Sequence, residues 1–141
     1  MANDAGDFAR SMSIATSGLR AQAGRMRVIS ENIANADSTA STAGGEPYRR
    51  KVPTFSSELD RTLDAKVVTL GKVRPDQSAF RVKHDPGNPA ADAAGNVKYP
   101  NVNPLVEMTD MRDAQRSYEA NLNIISATRR MIQRTLDILK A

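Results

Sequence analysis

A mainly α fold is predicted for this chain: long N- and C-terminal helices paired as an antiparallel coiled coil, with a small loop-rich middle segment holding one short β-hairpin. Three observations predict it. At the front, Phe8, Met12, Ala15, Leu19, Gln22, Met26, Ile29 and Ile33 fall at alternating steps of four and three residues. At the back, Tyr118, Leu122, Ile125, Arg129, Ile132, Leu136 and Leu139 repeat the pattern. Apolar residues at that alternation line one seam of an α-helix and require a partner helix. Between the stripes large side chains are scarce, because only 4% of the residues are aromatic and none is Trp, so the middle is poorly supplied for a sizeable core. Since one chain supplies both helices, the expected seam sets Leu19, Met26, Ile29 and Ile33 against Tyr118, Leu122, Ile125 and Ile132 in antiparallel sense. Gln22 and Arg129 interrupt it, either fixing the register from within or facing solvent.

The elements follow in order. Asp4 or Asp7 caps the first helix, which runs to about Asn35. Gly18 and Gly24 each cost it about 1 kcal/mol relative to Ala, so a helix this long needs tertiary packing. Asn35-Ala36-Asp37-Ser38-Thr39 ends it, and Ser41 to Pro47 is loop by composition. Val67–Val73 and Ala79–Lys83 are β-branched or alternating runs, and Arg74-Pro75-Asp76-Gln77 between them suits a turn. Val97-Lys98-Tyr99-Pro100 adds a third short strand. Asn103 is the expected N-cap of the last helix and Pro104 its first residue. Glu107, Asp110 and Asp113 sit near its positive end, with Arg129, Arg130, Arg134 and Lys140 towards the negative end. Three segments result: 1–36, 37–103 and 104–141. Beside the main stripes, Ile14, Ala21 and Val28, and Ile124, Met131 and Ile138, recur every seven residues. A band that wide asks for neighbours on more than one side, supplied by other copies or other proteins.

The chemistry for catalysis is thin. His84 is the single histidine and there is no Cys, so neither a nucleophile–base pair nor a thiolate metal site is expected. Gly44-Gly45 lacks the strand and helix of a phosphate loop. The chain is therefore expected not to be an enzyme and to carry no cofactor or metal. Its polar, acidic N-terminus is unlike a Sec signal peptide, and no apolar run approaches the roughly 20 residues of a membrane span. Net charge of +4 permits an anionic partner without requiring one. Tyr48-Arg49-Arg50-Lys51 is the strongest basic run. It suits contact with an acidic protein surface, with phosphate in a nucleic-acid-binding or adaptor module as the alternative. Asn32 and Asn35, three apart, suit either hydrogen bonds to a neighbouring subunit or capping of the first helix.

Gly18-Leu19-Arg20-Ala21-Gln22 and the run from Arg25 through Ser30-Glu31-Asn32-Ile33-Ala34-Asn35-Ala36-Asp37-Ser38-Thr39 resemble the N-terminal signature of bacterial flagellar rod and hook proteins. Gly44-Gly45-Glu46-Pro47-Tyr48-Arg49-Arg50-Lys51, Asp85-Pro86, Gly95 to Asn103 and Arg116-Ser117-Tyr118-Glu119-Ala120-Asn121 narrow it to the proximal-rod members of the flagellar basal-body rod family. Ser41-Thr42-Ala43 and Glu46 depart from the family pattern, both within a loop. The resemblance implies a structural subunit that polymerises into the axial drive shaft across the periplasm. Residues 1–36 and 104–141 would form the inner axial core and 37–103 would face outward. Implied partners are other rod subunits, the rod-to-ring adaptor, copies of itself and the type III export apparatus, with no nucleic acid and no membrane insertion. Subunit packing would fall to Leu19, Met26, Ile29, Asn32, Ile33, Asn35, Tyr118, Leu122, Ile125, Ile132 and Leu136, and surface contact to Arg49, Arg50 and Lys51.

Overall fold

The computed structural model describes the backbone of residues 2–140 and the side chains of residues 6–140. Helix α1 spans Ala2–Ala34, so a cap at Asp4 lies outside the described side chains. Helix α2 spans Pro104–Lys140, and Asn103 caps it as predicted, its Oδ1 accepting from the Leu105 N–H at 3.1 Å. Between them lie β1 (Lys51–Val52), β2 (Phe55–Asp60), β3 (Ala65–Leu70), β4 (Arg74–Pro75), β5 (Arg81–His84) and β6 (Asn96–Tyr99). Among the described residues these form three two-stranded antiparallel sheets, β1 with β4, β2 with β3 and β5 with β6.

The fold class is thereby corrected. The molecule is two helices plus three small sheets, not a mainly α coiled coil with one hairpin. Both expected strands exist, but they do not pair with each other. The first, as β3, pairs with β2, whose sequence Phe-Ser-Ser-Glu-Leu-Asp is too polar to signal a strand. The second, as β5, pairs with β6, the third expected strand. Arg74 and Pro75, expected in a turn, form β4 against Lys51 and Val52.

The chain divides into two compact units, the first assembled from three stretches of sequence and the second from two. The first takes residues up to Met26, Thr54–Lys72 and the residues from Asp113 onward. Here the β2–β3 hairpin lies on α1. Val68 N–H donates to Ser17 Oγ at 3.2 Å, and Arg10 Nε donates to the Leu63 carbonyl in the hairpin turn at 2.7 Å. Asp64 closes that turn at φ 47°, a left-handed conformation that short Asp tolerates better than most residues. Gly18 meets the end of the Asn121 side chain on α2. A Cβ there would come within 2.8 Å of Asn121 Oδ1, so the glycine gives up helix propensity to admit the Asn121 amide.

That contact explains why the buried line is one residue round from the expected seam. On α2, Ala114 and Thr128 are buried and Asn121 half-buried, while Tyr118, Ile125 and Ile132 are half-buried. The other expected positions face solvent: Leu122 is 47% exposed, Leu136 45% and Leu139 67%. On α1, Ala15 and Ala21 are buried, and Leu19 and Met26 only partly so. Small residues let backbones approach closely and take the inner position, leaving the long side chains at the flanks. Gln22 Oε1 is also buried, with no hydrogen-bond partner among the described residues.

The second unit takes Arg27–Pro53 and Val73–Arg112. Its apolar centre is built from Val28, Ile29, Ala36, Ala90, Val97, Pro100 and Val102, all buried. β5 and β6 cover one another in the register Arg81↔Tyr99 to His84↔Asn96. Arg81 ties the sheet to the end of α1, its NH2 donating to the Ala36 carbonyl at 2.8 Å and its Nε to the Pro100 carbonyl at 3.1 Å.

Candidate functional site

The centre of the second unit is polar as well as apolar. Glu107, in the first turn of α2, is fully buried at 0% exposure, and Asn32, near the end of α1, is 1% exposed. An ionised carboxylate removed from water is tolerated only when paired and hydrogen-bonded. Glu107 is both. Its Oε1 accepts from Arg50 Nε at 2.6 Å and its Oε2 from Asn32 Nδ2 at 3.0 Å. The helix N-terminus adds positive potential at the same end.

Asn32 uses its whole hydrogen-bonding capacity here. Nδ2 donates to the Lys51 carbonyl at 2.8 Å as well as to Glu107. Oδ1 accepts from the Lys51 N–H at 2.9 Å and from the Tyr48 hydroxyl at 2.8 Å. Two donors and two lone pairs are thus matched, which leaves nothing for a second molecule. Asn35, by contrast, caps the helix, its Nδ2 donating to the Glu31 carbonyl at 2.8 Å. Asn101, after β6, accepts from the Arg50 N–H at 2.8 Å and donates to Ser78 Oγ at 2.8 Å. Side-chain amides therefore play the part of sheet neighbours along Arg50 and Lys51, where β1 is too short to be held by a ladder.

The charges follow this geometry. Burial alone would ease the Arg50 proton off, but the bond and charge of Glu107, with Asp76 behind it, outweigh burial and hold the guanidinium above its ordinary value. Asp76 Oδ2 lies 3.5 Å from Arg50 NH1, and Asp110 Oδ2 lies 3.7 Å from NH2. The Asp76 carboxyl is lowered, first by the Ser78 backbone N–H, then by the Ser78 side chain and by Arg50. Tyr48 is pushed up to about 12, by burial first and then by the negative charges of Glu31 and Glu107. A folded value above the unfolded one adds stability below pH 10 that is lost as pH rises through about 12. Alkaline titration should therefore show a tyrosinate absorbance step near pH 12 that Tyr48→Phe removes. A step unchanged in Tyr48→Phe would overturn the assignment.

The basic run is drawn into this network. Arg49 lies over the Phe80 ring, 4.1 Å from its centroid, and donates to the Asp76 and Ser78 carbonyls. Arg50 faces Glu107, and Lys51 Nζ pairs with Glu31. Of the expected packing residues, Ile29 and Asn32 are buried, while Leu19, Met26, Ile33, Asn35, Tyr118, Ile125 and Ile132 are half-buried. Leu122 and Leu136 are exposed. His84 is exposed beside Asn96, 3.3 Å from its Oδ1, and no group of three metal-ligating side chains occurs among the described residues. No described helix is long and apolar enough to cross a membrane. Glu107 was legible only as a dipole partner, because nothing local distinguishes a buried acid in a first turn from a solvated one.

Two stretches of the chain match known families, and Asn32, Asn101 and Glu107 lie within them. Residues 12–40 match the family described as flagella basal body rod protein, and residues 93–138 match the flagellar basal body rod FlgEFG protein C-terminal family. The flagellar basal-body rod protein FlgC of Agrobacterium fabrum is 55% identical over 128 residues, covering 91% of this chain and 92% of that protein. FlgC of Bacillus subtilis is 40% identical over 145 residues, covering 92% and 97%, and FlgC of Salmonella typhimurium is 38% identical over 125, covering 89% and 92%. At such identity over nearly the whole of each chain, this protein belongs to the FlgC family of flagellar basal-body rod proteins, structural subunits of the rod in the bacterial flagellar basal body.

Proposed function

We propose that the chain polymerises with other rod subunits into the proximal part of the drive shaft. Residues 1–36 and 104–141 line the inner axial core and residues 37–103 face outward. One observation carries this reading most directly: α2 exposes Leu122, Ile124, Met131, Leu136, Ile138 and Leu139 along its outer faces. Each such side chain gains about 1.5–3 kcal/mol when fully buried, so a helix of this kind is stabilised by neighbours that cover it. Leu19, Met26, Ile33, Asn35, Tyr118, Ile125 and Ile132, half-covered in the single chain, complete the packing surface. Ile29 and Asn32 act from beneath it, by fixing the end of α1. The neighbours are copies of this chain, the other rod subunits and the rod-to-ring adaptor. Subunits arrive unfolded through the type III export apparatus, a route suited to a chain without cysteine. The chain acts as a structural part and not as an enzyme, a reading supported by relatives named as rod proteins. A nucleic-acid module is disfavoured because Arg50 and Lys51 already face Glu107 and Glu31. Deleting the gene should leave cells non-motile, with a motor ring but no rod, and supplying the chain should restore both. Swimming by the deletion strain would reject the proposal.

A further inference from the structure

One concavity of the second unit is left over by the network. It has a volume of about 790 Å³ and is lined by Arg27, Val28, Glu31, Tyr48, Arg49, Lys51, Val73 and Pro75. That is well inside the roughly 300–1,000 Å³ span of binding clefts. Its charges do not balance, since three cations face a single carboxylate. Lys51 is answered by Glu31. Arg49 rests on Phe80 and on two neutral carbonyls, so its charge meets no carboxylate there. Arg27 is exposed, and among the described residues no carboxylate pairs with it. Between the cations lies an apolar floor, where Val73 is 40% exposed beside exposed Pro75.

We infer that this groove receives an acidic segment of a neighbouring axial subunit, one that sets a carboxylate against Arg27 and Arg49 and an apolar side chain on Val73 and Pro75. The inference rests on the rod reading and adds which face is used and the chemistry of what fills it. Charge complementarity selects the occupant. Two unanswered cations on a rim steer and select an anionic partner, and a covered apolar floor supplies adhesion. A nucleic acid fits poorly, because phosphate backbones are held by a run of cations and this run has turned inward at Arg50. The groove also replaces Arg50 with Arg27 as the outward cation, which sequence neighbours alone did not indicate.

The test uses intact cells. A photo-crosslinking amino acid at position 73, and separately at position 139, is activated in assembled basal bodies, and the joined peptides are identified. The expected product from position 73 is a peptide of an axial subunit with Asp or Glu beside an apolar residue. Arg27→Glu should shrink the swimming halo several-fold, and replacing the crosslinked carboxylate by Arg in that strain should restore it. A position-73 crosslink to a segment without carboxylates, to nucleic acid, or to nothing overturns the inference, as does failure of the charge swap. If position 139 still joins axial subunits in those cases, the groove alone has failed. If position 139 is silent as well, the rod reading falls with it. Arg27 is exposed and no ion pair holds it among the described residues, so Arg27→Glu should leave the chain's melting curve in place.

Discussion

Replacing Glu107 by Ala should destabilise the chain by about 3–5 kcal/mol, the usual penalty for removing one partner of a buried ion pair. The substitution leaves Arg50 with only its longer contacts to Asp76 and Asp110, and leaves one N–H of the buried Asn32 amide without an acceptor. Asn32 also holds both backbone groups of Lys51, so its displacement loosens β1. Glu107→Gln should be milder. Its carbonyl can still accept from Asn32, and what is lost is a charge-assisted bond of about 1.5–3 kcal/mol. Urea unfolding followed by circular dichroism measures both. A loss below about 1 kcal/mol for Glu107→Ala would mean that the ion pair does not hold the unit together.

Leu122→Asp should act in the opposite way, sparing the isolated chain and stopping the assembly. Leu122 is 47% exposed, and substitutions at such positions usually move stability by no more than about 0.5 kcal/mol. In a rod that covers α2, the same Asp is buried without a partner and costs several kcal/mol in every copy. Motility should be lost, with the protein still made and no rod beyond the motor ring. Ile29→Asp is the contrast, because Ile29 is 2% exposed and the charge would unfold the second unit itself. Normal swimming by Leu122→Asp would remove that face of α2 from the proposed interface. A large loss of monomer stability would show that Leu122 is packed within the chain.

Much of the fold could be read from local pattern. Both long helices follow from periodicity, and the start of α2 at Asn103-Pro104 follows from capping chemistry. The seam was harder. Tyr118, Ile125 and Ile132 are half-buried, but apolarity favoured Leu122 where the chain instead brings Asn121 to Gly18. A hydrophobic pattern registers attraction and misses the close approach that small residues allow. Strand pairing failed for a related reason: β2 takes its place by matching β3 and resting on α1, and Ser56, Ser57 and Glu58 carry no sign of that. The site was least legible. Asn32 and Arg50 could be picked out, but what joins them is Glu107, 75 residues from Asn32, and a separation of that kind leaves no trace in local spacing.

Each unit joins stretches far apart in the sequence, three in the first and two in the second, and this bears on when the chain can become ordered. The second unit needs Glu107 before Asn32 and Arg50 have their acceptor, and the first needs the residues beyond Asp113. Contacts between stretches so distant in sequence close late, because loop entropy must be overcome before they return anything. A growing or threaded chain that has released only its first hundred residues therefore has no finished unit on which to settle. Order comes only with the last helix, and that helix exposes an apolar flank of its own. Late closure thus acts as a timer, leaving the polypeptide pliable until its last helix is present.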